Sequence, residues 1–141
     1  MYLRDLTPLD RDALLTIRES FKLDSVTPIV SVGWLGTWRP YRKGMTVPAF
    51  RERLGKFCAS PSRFHRGFFW CRQGACKLRL RSEFGAGEII VVGSAQIFWA
   101  PSLIGHYVSH HAYLPPAPFI DAVLGSDGPV HRPEHGEQPG R

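Results

Sequence analysis

The amino-acid sequence predicts an α+β fold: a single domain with about four helices and a three-stranded antiparallel meander. Apolar residues recur at helical spacing in four separate stretches, and between Cys76 and Ala100 the period drops to two. The chain's 141 residues, 43% of them hydrophobic, suit one core rather than two.

The elements follow in chain order. Thr7 and Pro8 read as an N-cap with proline at the first helical position. Leu9, Ala13, Leu14, Ile17 and Phe21 then mark one face, so a helix is expected over about Pro8 to Lys22. Pro28 and the run Ile29 to Leu35, rich in Val and Ile, suggest a short strand entering a tryptophan-containing loop at Gly33, Trp34 and Gly36. Thr46-Val47-Pro48 starts a second helix with Phe50, Leu54, Phe57 and Cys58 on its apolar side, and Ser60, Pro61 and Ser62 end it. Cys76, Leu78 and Leu80 alternate with Lys77, Arg79 and Arg81 as in a strand with one wet face. Gly85-Ala86-Gly87 turns the chain, and Glu88 to Val92 and Ala95 to Ala100 complete the meander through Gly93-Ser94, a Gly-first pair suited to a type II′ turn. Pro101-Ser102 offers a cap for a third helix carrying Leu103, Ile104, Tyr107, Val108 and His111, stopped by Pro115-Pro116. Phe119, Ile120, Val123 and Leu124 predict one more short helix. The domain is expected to end near residue 125, because residues 126–141 lose all apolar periodicity and read as a disordered tail.

Charge is unevenly placed. The net charge of +6 conceals a segment, Arg39 to Arg81, with twelve basic residues against Glu52 alone, followed by Ser82 to Asp127, which has no Lys or Arg. The opening Met1 to Asp5 is charged and lacks an apolar leader, and Ile89 to Pro101, the most apolar stretch, is far short of the roughly 20 residues a membrane helix needs. Three cysteines, an odd number, argue against a disulfide framework. A cytoplasmic protein with no membrane partner is expected.

Two constellations carry chemistry. Cys71-x4-Cys76, followed by His106-x3-His110, supplies two thiolates and two imidazoles, a tetrahedral donor set for zinc; histidines four apart project from the same helix face. The competing reading makes both cysteines buried small hydrophobes and both histidines a polar helix edge. His111 falls on the apolar stripe, where a core histidine is the ordinary expectation. His65 is a further spare candidate, and His131 and His135 lie in the expected tail.

The second constellation is the basic segment 39–81, interleaved with Tyr41, Phe50, Phe57, Phe64, Phe68, Phe69 and Trp70. Cations for phosphates and rings for unpaired bases are what a nucleic-acid-binding module uses, with Arg66, Arg72, Lys77, Arg79 and Arg81 as its contacts. Catalytic signatures are thin: the chain has no Gly-x-Ser-x-Gly elbow, phosphate-binding loop or His-Glu-x-x-His. Function is accordingly read as a non-enzymatic binding protein stabilised by structural zinc. The alternatives are a nucleic-acid-binding module and a metal-dependent hydrolase using the same ligands less one.

The stretch from Gly87-Glu88-Ile89-Ile90-Val91 through Trp99-Ala100-Pro101-Ser102-Leu103-Ile104-Gly105-His106-Tyr107-Val108 to His111, Tyr113, Pro115-Pro116, Phe119, Ala122 and Val123 resembles an uncharacterised family of small bacterial proteins, a domain of unknown function. Val32-Gly33-Trp34-Leu35, Gly44, Val47-Pro48, Phe50, Leu54 and Arg66-Gly67-Phe68 are similar to its earlier segments, so Val30 to Leu124 is covered. The resemblance implies a zinc site built from a cysteine pair and the later helix, with the second helix histidine at His111. Spacing favours His110, because His111 lies about 140° around the helix from His106. This chain departs from the family pattern in its longer cysteine spacing and in lacking a histidine between Arg66-Gly67-Phe68 and the pair.

Overall fold

The structure, a computed structural model, describes residues 2–37, 39–64, 68–73, 76, 79–81 and 87–133. Its main sheet has four strands in the order β1-β6-β5-β2: β1 (Ile29–Ser31), β2 (Arg63–Phe64), β5 (Gly87–Val92) and β6 (Ile97–Pro101). β3 (Phe68–Trp70) and β4 (Arg79–Arg81) form a separate antiparallel pair. The helices are α1 (Arg11–Phe21), α2 (Pro48–Ala59), α3 (Ile104–His111) and α4 (Ala117–Gly125).

The fold class is α+β as expected, but the meander is redistributed. β5 and β6 pair antiparallel, with Val92 opposite Ile97, while β4 pairs with β3 instead of joining them. The place beside β6 goes to β1, which runs parallel to it with Ile29 opposite Ile97. Alternation along a strand fixes which side chains share a face, not which strand lies alongside, and this partner is more than sixty residues away in sequence. The turn also differs. Gly93 N donates to Gln96 O at 2.8 Å, and Gly93 is not among the glycines of positive φ. A Cβ there would stand 2.8 Å from Phe98 Cε2, so packing space rather than a II′ turn accounts for the glycine.

The sheet is covered on both sides, which explains why β5 and β6 read as nearly continuous apolar runs. Val30, Ile89, Val91, Phe98 and Ala100 join Phe50, Leu54, Phe57, Ile104, Val108, Phe119 and Val123 from α2, α3 and α4 in one core. The alternate residues Ile29, Ile90, Ile97 and Trp99 meet Ile17 and Phe21 of α1 in a second. Trp34 closes over this second core, its ring 4.3 Å from that of Trp99 and its Nε1 donating to Trp99 O at 3.1 Å.

α1 begins later than the proline signal suggests. Asp10 caps it, accepting from Ala13 N at 2.9 Å, whereas Pro8 bridges to Val30. Thr7 O accepts from Ser31 N at 2.9 Å and Leu9 N donates to Ile29 O at 3.2 Å, so residues 6–9 serve as an edging to β1 instead of a first helical turn. Beyond α4, residues 126–133 are described: Val130 N donates to Ile90 O at 2.8 Å, and Ser60 Oγ lies 3.3 Å from His131 Nε2. The rest of the expected tail, 134–141, lies outside the described residues.

Candidate metal centre

Cys71 immediately follows β3, and Cys76 closes the turn beyond it, its N donating to Gln73 O at 3.1 Å. Gln73 is buried, and its amide donates to Gly36 O at 2.6 Å, which ties this turn to the loop after β1. Opposite stands α3. Its N-terminal half approaches α2 closely at Gly105, where a Cβ would lie 3.2 Å from Cys58 Sγ. Its C-terminal end is held by residues 41–44: Gly44 N donates to Ala112 O at 2.9 Å, Leu114 N to Arg42 O at 2.9 Å, and the Tyr41 hydroxyl to His111 O at 3.1 Å.

These supports bring one donor atom each from Cys71, Cys76, His106 and His111 within 4.8 Å of one another. Cys71 Sγ lies 3.3 Å from His111 Nε2, Cys76 Sγ lies 3.3 Å from His106 Nε2, and the two Nε2 atoms are 3.2 Å apart. Zn–S bonds near 2.3 Å and Zn–N bonds near 2.0 Å place tetrahedral ligand atoms about 3.3 to 3.8 Å from each other. The three close approaches fall near that range, and the widest pair needs only about an ångström of closure. The four residues form a group that can hold a metal ion.

Among the residues proposed from spacing, three are brought together and His110 is not. His110 is exposed, and its ring stacks on that of His106 with centroids 4.7 Å apart and planes 29° from parallel. Stacked rings lie side by side. His111 instead meets His106 edge-on, centroids 4.9 Å apart and planes at 79°, so both Nε2 atoms converge on one point. The family resemblance carried this signal, whereas helical spacing alone pointed one residue short.

Electrostatics suit an incoming cation. Burial lowers the pKa of His106 to about 4, helped by His111 and His110, and burial first, then His110 and Lys43, lowers that of His111. Both imidazoles are therefore neutral at pH 7 and keep a lone pair for a ligand. Burial raises the Cys71 thiol, with Cys76 beside it acting in the same direction. Among the described residues, His106 Nδ1 is buried without a hydrogen-bond partner. The Tyr107 hydroxyl is pushed up to about 12 by burial and by Cys71 and Cys76, which keeps it neutral beside the thiols.

The basic residues divide. Arg72 is exposed; Arg79 and Arg81 occupy β4; Arg66 and Lys77 lie outside the described residues, as do His65 and His135. Several other cations of the 39–81 segment are spent on structure. Arg53 donates to the Val123 and Ser126 carbonyls, Arg51 to Thr46 O, and Arg63 pairs with buried Glu88 at 2.7 Å. Glu88 also accepts from Trp99 Nε1 at 2.6 Å.

Among the described residues, no helix is long and apolar enough to cross a membrane. No curated protein and no solved structure matches the chain. The family match extends beyond the Val30 to Leu124 span of the motifs to include α1 and the segment before it. The chain belongs to the family described as a domain of unknown function, DUF7919, which matches residues 1–124.

Proposed function

We propose that this chain is a non-enzymatic, cytoplasmic binding protein whose fold is held by one structural zinc ion bound to Cys71, Cys76, His106 and His111. The observation that carries the reading is the convergence of two sulfurs and two imidazole nitrogens within 4.8 Å, supplied by two chain segments thirty or more residues apart. Two thiolates with two imidazoles make a donor set that zinc favours. Four protein donors fill a tetrahedral shell, which supports a structural role over a metal-dependent hydrolase needing a coordination position for water.

The ion's mechanical task follows from the topology. β3 and β4 belong to a separate pair, and the two cysteines at its turn are joined through the ion to α3, which packs on the main sheet's core. Ligation would thus clamp the small pair to the body of the domain, and its free energy would count as folding free energy. Elemental analysis of tag-free protein tests the reading. About one equivalent of zinc per chain is expected, lost on chelation together with a fall in melting temperature. Metal-free protein that folds fully and takes up no zinc would overturn it.

A further inference from the structure

We infer that the β3–β4 pair binds single-stranded nucleic acid through the face on which Phe68, Trp70, Arg79 and Arg81 are placed together by register. The pairing sets Phe68 opposite Arg81, Phe69 opposite Leu80, and Trp70 opposite Arg79. Directly opposed residues share a face and neighbours along a strand alternate, so Phe68, Trp70, Arg79 and Arg81 occupy one face while Phe69 and Leu80 occupy the other. Each arginine position on that face is thus matched by an aromatic one.

Charge says what suits this pair. The segment 39–81 carries a net charge of plus eleven, and the structure assigns Arg51, Arg53, Lys56 and Arg63 to carbonyls or carboxylates of the fold. Arg72, at the turn of the pair, is exposed and has no such partner among the described residues. Guanidinium groups recognise phosphates, and aromatic faces stack unpaired bases with little regard to sequence, a combination that an acidic peptide or a lipid headgroup would use only in part.

The proposal stands on the register and charge of the pair and does not require the zinc reading. It is tested by fluorescence anisotropy of the full chain with labelled oligo(dT) and oligo(U) of about 16 nucleotides, between about 50 and about 200 mM salt. Binding that weakens as salt rises is expected. The double variant Arg79→Ala and Arg81→Ala should lose affinity on the order of tenfold and make the salt slope shallower by about 0.7 for each arginine removed. Trp70→Ala should lose about fivefold or more. The control pair Arg4→Ala and Arg11→Ala removes the same charge from exposed positions elsewhere and should leave affinity near wild type. Circular dichroism confirms that each variant is folded, and Trp70→Phe, which keeps a ring, replaces Trp70→Ala if that variant is not. The proposal is overturned by absence of binding at low salt, by equal losses in the hairpin and control pairs, or by phosphatidylserine vesicles binding more tightly than either oligonucleotide. Zinc content of the same samples separates the two readings, since a zinc-free chain that still binds oligonucleotide refutes only the metal proposal.

Discussion

His106 and His111 sit five residues apart on α3, yet their Nε2 atoms are 3.2 Å from each other. His111 is the last residue of the helix, and Ala112 after it takes a left-handed conformation with φ of 53°. The chain turns away there into the 112–114 segment that pairs with residues 42–44, leaving the His111 ring to approach His106 from the side. Replacing His111 by Ala should therefore abolish stoichiometric zinc binding, whereas His110→Ala should retain about one equivalent; competition with a chromogenic chelator measures both. Equal affinity in the two variants would remove His111 from the ligand set.

The three thiols should differ in reactivity. Cys58 is pushed up to about 12 by burial at the α2–α3 contact, so it carries almost no thiolate at pH 8. Mass spectrometry after brief alkylation of native protein should find Cys58 unmodified with or without chelator, and Cys71 and Cys76 modified only once metal is removed. Modification of Cys58 before the other two would contradict the packing described here.

Gly33 has φ of +80°, and a Cβ on it would lie 2.7 Å from Ile104 Cδ1. Gly33→Ala is thus strained by its backbone and crowded by α3 at once, and should cost about 1 to 3 kcal/mol in urea unfolding. The pair Gly33→Ala with Ile104→Val removes the Cδ1 contact but keeps the Cγ1 one at 2.9 Å, leaves the backbone strain untouched, and should not restore wild-type stability.

Asp24 organises the turn before β1. Its carboxylate accepts from Val26 N at 2.8 Å and from Thr27 N and Thr27 Oγ1, and these hydrogen bonds hold its pKa below the ordinary 3.8. A depressed carboxyl pKa stabilises the fold above the unfolded value, and that contribution disappears as pH falls through the lowered one. Asp24→Ala should hence be less stable than wild type at pH 7, with the gap closing as the pH is taken below about 3.8. A gap that widens in acid would refute the assignment.

How much of this was legible in the sequence differs by element. α2 begins where Val47-Pro48 announces it, because proline at the first helical turn is a local signal. The apolar stripe of α3 was equally plain in Ile104, Tyr107 and Val108. What escaped is what depends on distant partners. Ile29 to Ser31 shows a strand but not its parallel neighbour, and Cys76 to Arg81 shows alternation but not that Phe68 to Trp70 lies opposite Arg79 to Arg81. Of the four residues that could hold a metal ion, spacing pointed to Cys71, Cys76 and His106; His111 depends on how α3 ends, which helical periodicity does not describe.

The edging of β1 by residues 6–9 bears on how copies of this chain behave in a crowded solution. Backbone groups along the outside of that strand are already occupied by Thr7 and Leu9, so a stray extended segment finds little there to extend. At the opposite margin β2 offers only Arg63 and Phe64 among the described residues, the first held by Glu88. Strand addition to the main sheet is thus steered toward the β2 side.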